Sequence, residues 1–129
     1  MRLLLDTHVF LWLAIEPESL SARARALCQD PEHELLLSFA SIWELQIKQQ
    51  LGKLTFATPL ADLIAVQRVG NRIALLPIAL AHILALADLP LLHKDPFDRL
   101  LIAQANTEGI TILSADSTLP AYQVRLIHA

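Results

Sequence analysis

The sequence predicts a three-layer α/β/α sandwich around a central, mostly parallel sheet of about five strands. Three observations carry this expectation. Short, largely apolar runs at residues 3–5, 35–37, 73–76 and 110–113 have the composition of strands covered on both faces. Segments of helical period alternate with them, and that alternation implies parallel strands joined by helical crossovers. Hydrophobic residues make up 54% of the chain, above the usual ~45–50%. Such a surplus suits a buried sheet or an apolar surface used for association.

The elements follow in order. Residues 2–5 form the first strand, which ends at Asp6. Residues 7–14 continue as a short helix, stopped before Pro17. Ser19 or Ser21 caps a second helix that runs through Cys28 and ends at Asp30-Pro31. Residues 35–38 are the second strand. A helix starting at Ser41, with apolar positions Ile42, Leu45, Ile47 and Leu51, breaks at Gly52. Pro59 opens another that runs to Val69 and stops at Gly70-Asn71. Residues 73–76 are the third strand, residues 78–87 are helical, and residues 89–92 form a loop around Pro90. Asp95 is the N-cap of the next helix, with Pro96 at its first position, where a missing N–H costs nothing. Beyond Arg99 that helix is almost wholly apolar, and Gly109 closes it. Residues 110–113 are the fourth strand, ending near Asp116, and residues 124–127 a fifth at an edge. No repeat, linker or low-complexity tract interrupts the pattern, so the 129 residues read as a single domain.

Several function classes are excluded by composition and spacing. A net charge of −3 argues against wholesale electrostatic capture of nucleic acid but leaves room for a local basic rim. Cys28 stands alone, so there is no internal disulfide, and the five histidines lack zinc spacing. The glycine-rich signatures of dinucleotide and P-loop nucleotide sites are absent. Trp12 and Trp43 lie beside apolar runs, which favours packing over base stacking. The first five residues start like a signal peptide, but Asp6 and His8 interrupt them. Residues 73–92 are long enough to span a membrane, yet Pro77, His82, Asp88 and Pro90 fit a strand, a turn and a helix instead. A soluble, cytoplasmic chain with no membrane partner is the expectation.

Four acids carry the candidate chemistry. Sites in open α/β sheets form beyond the carboxyl ends of the strands. Asp6 directly follows the first strand, Asp116 follows the fourth, and Glu44 sits in the first turn of the helix after the second. Asp98 reaches the same edge if its helix starts there. Each acid alone has a purely structural alternative. Glu44 with Ser41 fits a capping box, Asp98 complements its helix dipole, and Asp116 suits a turn or cap. Asp6 is harder to explain so, because a carboxylate straight after Leu3-Leu4-Leu5 is partly desolvated and needs donors or a cation. Carboxylates gathered at one edge repel, and a divalent ion is the usual remedy; oxygen-only ligation suits Mg²⁺ or Mn²⁺.

The blocks around these acids resemble a known family. Leu4-Leu5-Asp6-Thr7-His8-Val9-Phe10-Leu11-Trp12 is similar to the opening of PIN-domain ribonucleases, specifically VapC-type toxins of toxin–antitoxin pairs. Ser41-Ile42-Trp43-Glu44-Leu45-Gln46-Ile47-Lys48 followed by Gly52-Lys53-Leu54 is similar to their second block, and residues 93–105 to their third. Ser114-Ala115-Asp116 supplies the last acid. The resemblance implies a PIN-like fold and a metal-dependent endoribonuclease, with Asp6, Glu44, Asp98 and Asp116 as catalytic and metal-binding acids. It implies Mg²⁺ or Mn²⁺ as cofactor and structured RNA, tRNA or rRNA, as substrate. It also implies a homodimer and a cognate VapB-like antitoxin that blocks the acidic site. Thr7 is placed to hydrogen-bond an acid from behind, and Arg99, Lys48 and Lys94 are candidates for RNA phosphates or for ordinary surface solvation. Two alternatives stay open. A phosphatase using Asp6 as a covalent nucleophile needs a second Asp two residues on, where His8 stands. A catalytically silent scaffold would neither bind these ions nor cleave RNA.

Overall fold

The computed structural model describes residues 1–92, 95–116 and 124–129. Its sheet has the strands β1 (Arg2–Leu5), β2 (Glu34–Ser38), β3 (Ile73–Leu76), β4 (Thr111–Ser114) and β5 (Leu126–His128), all parallel, in the order β3-β2-β1-β4-β5. The crossovers carry α1 (Thr7–Ile15), α2 (Ala22–Gln29), α3 (Phe39–Gln50), α4 (Leu60–Gly70), α5 (Leu80–Ala85) and α6 (Pro96–Glu108).

Side-chain alternation along the strands divides the interior into two halves. Leu3 and Leu5 of β1 and Leu35 and Leu37 of β2 face one side, where Val9, Phe10 and Leu13 of α1, Ala24 of α2, Leu45 of α3 and Leu60 of α4 cover them. Leu4, Leu36 and Ile112 face the other, against Leu100, Leu101, Ile102 and Ala105 of α6. Both faces of the sheet are therefore dry, as the continuous leucine runs require. Each of these leucines contributes about 1.5–3 kcal/mol through burial. Cys28 belongs to the first half, and burial pushes its thiol up to about 11, a packed and unreactive group. Among the described residues, no helix is long and apolar enough to cross a membrane.

Helix boundaries depart from expectation at two places. Helix α3 begins at Phe39, without a loop after β2, and its cap is Ser38, whose hydroxyl accepts the Ala40 N–H at 3.0 Å. The capping box expected at Ser41 and Glu44 does not form. Glu44 is in the second turn, not the first, and is free for other work. The helix expected over residues 78–87 is shorter: α5 spans Leu80–Ala85 and tightens into a single 3-10 turn, Leu86–Asp88. Leu89 is then extended, as the residue before Pro90 must be. Strand β4 starts one residue late because the Ile110 N–H is spent on Ala105 O, closing α6 around Gly109 at φ +66°. Asp95 caps the start of α6 through the Phe97 and Asp98 N–H groups, with Pro96 next to it, as the sequence indicates.

Leu4 lies on the central strand and is fully buried against α6. Leu4→Ala is expected to cost about 2–5 kcal/mol, read as a lower urea midpoint with an unchanged slope.

Candidate active site

Strand order places the site. The chain runs outward from β1 to β2 and β3, then crosses to β4 on the other side of β1. The order thus reverses between β1 and β4, and a crevice opens there at the carboxyl edge. Asp6 follows β1 and Asp116 follows β4 by two residues. Helix α6 connects β3 back to a parallel β4, so it too starts at this edge, which brings in Asp95 and Asp98. The result is a cavity of about 500 Å³ lined by Asp6, Glu44, Asp98 and Asp116, together with Thr7, Lys48 and Asp95. His8 and Trp12 of α1 form another part of the wall, their rings 6.3 Å apart.

Asp6 is the most constrained of these acids. It is 4% exposed and caps α1, with Oδ1 accepting the Val9 N–H at 2.7 Å. Oδ2 accepts the Ser114 hydroxyl and, at 3.2 Å, the Ala115 N–H. One carboxylate thus ties the end of β1 to the start of α1 and the end of β4. Burial raises its pKa above the ordinary Asp value of 3.8, opposed by the Ser114, Val9 and Ala115 hydrogen bonds and by His8. Ser114 turns its oxygen toward the Asp116 N–H as well, at 2.9 Å, which fixes the backbone that carries the fourth acid.

Glu44 is buried in a different way. Thr7 donates its hydroxyl to Oε1 at 2.6 Å, and Lys48, one turn on along α3, holds Oε2 at 2.9 Å. The acid that Thr7 hydrogen-bonds is therefore Glu44. Arg99 takes a different task from the one expected of it. Its Nη2 donates to Leu86 O and Leu89 O, both at 3.3 Å, so it braces the loop after α5 and does not line the cavity. Neighbouring positions on a helix point about 100° apart, so with Asp98 on the cavity Arg99 turns away. Lys94 lies outside the described residues.

A buried polar belt beneath the acids was not legible in advance. Ser38, which caps α3, donates to Gln104 Oε1 of α6 at 2.5 Å. Gln104 Nε2 reaches Pro77 O and His82 Nδ1, each at 3.3 Å. His82 Nδ1 accepts the Ala79 N–H at 2.9 Å, so its Nε2 carries the proton and donates to Glu108 at 2.7 Å. The one available signal was Gln104 itself, a lone polar residue inside the apolar run of α6. His82 lies on α5 and is 1% exposed.

The cavity suits a hard divalent cation by its donor chemistry: five carboxylates line it, those of Asp6, Glu44, Asp95, Asp98 and Asp116, and among the described residues no sulfur ligand does. Of the roughly four lone-pair directions of Asp6, three are spent on neutral donors, leaving one on Oδ1 for an ion. Among the described residues, however, no three His, Cys, Asp or Glu side chains form a ready-made chelate. The acids share a cavity without being drawn together around a point.

Comparison with known proteins comes to the same fold. The PIN domain family matches residues 3–124. VapBC2 from Rickettsia felis, bound to a promoter DNA fragment, superposes with a TM-score of 0.76 at 15% identity, covering 99% of this chain and 98% of that one. DNA-bound VapBC from Salmonella typhimurium gives 0.70 at 12% identity with the same coverages. VapBC-1 from nontypeable Haemophilus influenzae gives 0.63 at 17%, again covering 99% and 98%. At these identities the likeness is one of fold. No curated protein matches the chain in sequence.

The raised pKa of Asp6 has a consequence for stability. Folding makes this carboxyl bind its proton more tightly than the unfolded chain does. Stability of the chain in chelator is therefore expected to fall as pH rises from the ordinary Asp value through the raised folded one. Urea melts of wild type and Asp6→Asn across that window check this: the difference between the two curves should slope only in the wild type's disfavour, and a flat difference would refute it.

Proposed function

The chain belongs to the PIN domain family, and from that premise we propose that it is a metal-dependent endoribonuclease, the toxin of a toxin–antitoxin pair. The observation that carries the reading is the meeting of Asp6, Glu44, Asp98 and Asp116, distant in sequence, on one cavity at the switch point of the sheet.

The residues divide the work. Asp6, Asp98 and Asp116 hold Mg²⁺ or Mn²⁺, and Glu44 orients the attacking water or completes the ligand set. A bound ion supplies a lowered pKa for water and neutralises charge gathering on the phosphate. Asp6 is fixed for this by three donors that leave one oxygen direction open. Thr7 holds Glu44 in place. Lys48 has N–H groups left over after its bond to Glu44 and meets a phosphate oxygen of the RNA. Water adds to phosphorus and the bond to the departing ribose oxygen breaks; one of the water's protons ends on that oxygen and the other is lost from the new phosphate to solvent. The substrate is structured RNA, tRNA or rRNA, in the cytoplasm.

The partner is a VapB-like antitoxin, and the chain forms a homodimer. The structures it superposes on are VapBC complexes, and this chain leaves Leu80, Ile83 and Leu84 of α5 and Val66 and Val69 of α4 exposed. An apolar surface of that kind is what a subunit or an amphipathic antitoxin segment covers.

Cleavage of a structured RNA pool by the purified chain is the test. Activity should require Mg²⁺ or Mn²⁺, vanish in chelator, and fall by about 100-fold or more in Asp6→Asn and in Asp98→Asn. Full activity in both variants, or in chelator, would sink the reading.

A further inference from the structure

Glu44 and Lys48 lie four residues apart on α3, with the acid on the N-terminal side, the favoured order for a pair within a helix. Both line the acid cavity. The Glu44 carboxylate is 7% exposed and the Lys48 side chain 35%. Each Glu44 oxygen has a donor of its own: the Thr7 hydroxyl on Oε1 at 2.6 Å, the Lys48 ammonium on Oε2 at 2.9 Å. The negative charge of Glu44 is thus met by a cation built into the same helix. Asp6 differs, since all three of its hydrogen bonds come from neutral N–H and O–H groups. Two buried carboxylates on one cavity are neutralised by two different devices.

Resting on the nuclease reading above, we propose that Lys48 is a positioning residue that keeps Glu44 in a permanent ion pair. The site then takes one divalent ion, beside Asp6, Asp98 and Asp116, and Glu44 is not its ligand. To ligate an ion, Glu44 would have to turn from its ammonium and draw a dication toward it, so the two cations exclude each other by like-charge repulsion. Lys48 already supplies a fixed positive charge on Glu44's side of the cavity. Glu44, held by Thr7 and Lys48, is left to orient water.

Counting bound Mn²⁺ on the full chain, by calorimetric titration and by electron paramagnetic resonance, tests this apart from activity. The wild type should bind one ion. Glu44→Gln should keep its affinity within about threefold, whereas Asp6→Asn should lose about 100-fold. Lys48→Met should release Glu44 and raise the count to two, and Lys48→Arg should bring it back to one. Two ions on the wild type, a loss of tenfold or more in Glu44→Gln, or a single ion on Lys48→Met each overturns the assignment while leaving the nuclease reading intact. A wild-type chain that binds no Mn²⁺ and cuts no RNA removes both.

Discussion

Everything at the carboxyl edge depends on one buried carboxylate. Asp6 accepts from Val9 at the head of α1 and from Ser114 and Ala115 at the foot of β4. Those segments are adjacent only because β1 is the middle strand, paired with β2 on one side and β4 on the other. The hydrogen bonds are local, but the geometry they need is global. A chain that misregistered β1 against β4 by one residue would turn Leu4 toward the wrong layer and leave Asp6 buried without its donors. Fold and site are therefore specified by the same contacts, and a buried charge with neutral donors makes the wrong pairing expensive.

The second support is the belt through Ser38, Gln104 and His82. Ser38 ends β2 and begins α3, so its place decides where Glu44 and Lys48 stand. Gln104 is on α6, two turns beyond Asp98. The bond between Ser38 and Gln104 therefore fixes the helix that carries one acid against the helix that carries another. The belt is sealed from solvent, where an unmade hydrogen bond costs about 1–3 kcal/mol, and each member answers another: hydroxyl to amide, amide to imidazole and carbonyl, imidazole to Glu108. Leucines could have filled the same volume with comparable stability. They would not have set the relative rotation of the two helices.

Sequence patterning reached the fold more surely than the site. Runs such as Leu35-Leu36-Leu37 have one stable use, a strand covered on both sides, and the Asp95-Pro96 start and Gly109 stop of α6 are fixed by backbone chemistry that any context must respect. Where reasoning fell short, two local solutions competed. Ser38 and Ser41 both qualify as caps for α3. Tertiary packing chose Ser38, because Ala40 had to enter the core beside Leu36. The four acids could be named from their places at strand ends and helix starts, together with the family resemblance. Their partners could not. Whether Arg99 faces the cavity turns on a rotation of about 100°, and whether Gln104 finds Ser38 turns on a contact 66 residues away in the chain. Neither leaves a mark in the local sequence.

The two buried acids expose different costs. An i,i+4 pair on an exposed helix stabilises by about 0.5 kcal/mol or less; with the acid buried, losing the lysine would leave the carboxylate with the Thr7 hydroxyl alone, a larger loss than on an open surface. Glu44 and Lys48 carry that compensation on a single helix, so it is present whenever α3 is formed. The compensation of Asp6 is assembled from the ends of two strands at one edge of the sheet, and burial outweighs those N–H and O–H donors and the opposing effect of His8, so its proton is more tightly held than in water. A cation arriving at the cavity therefore finds one acid already satisfied and another still in deficit. That asymmetry follows from where the residues sit along the chain: a carboxylate at a strand terminus can recruit free backbone N–H groups from its neighbours, whereas one in the second turn of a helix must rely on side chains, here Lys48 from the next turn and Thr7 from α1.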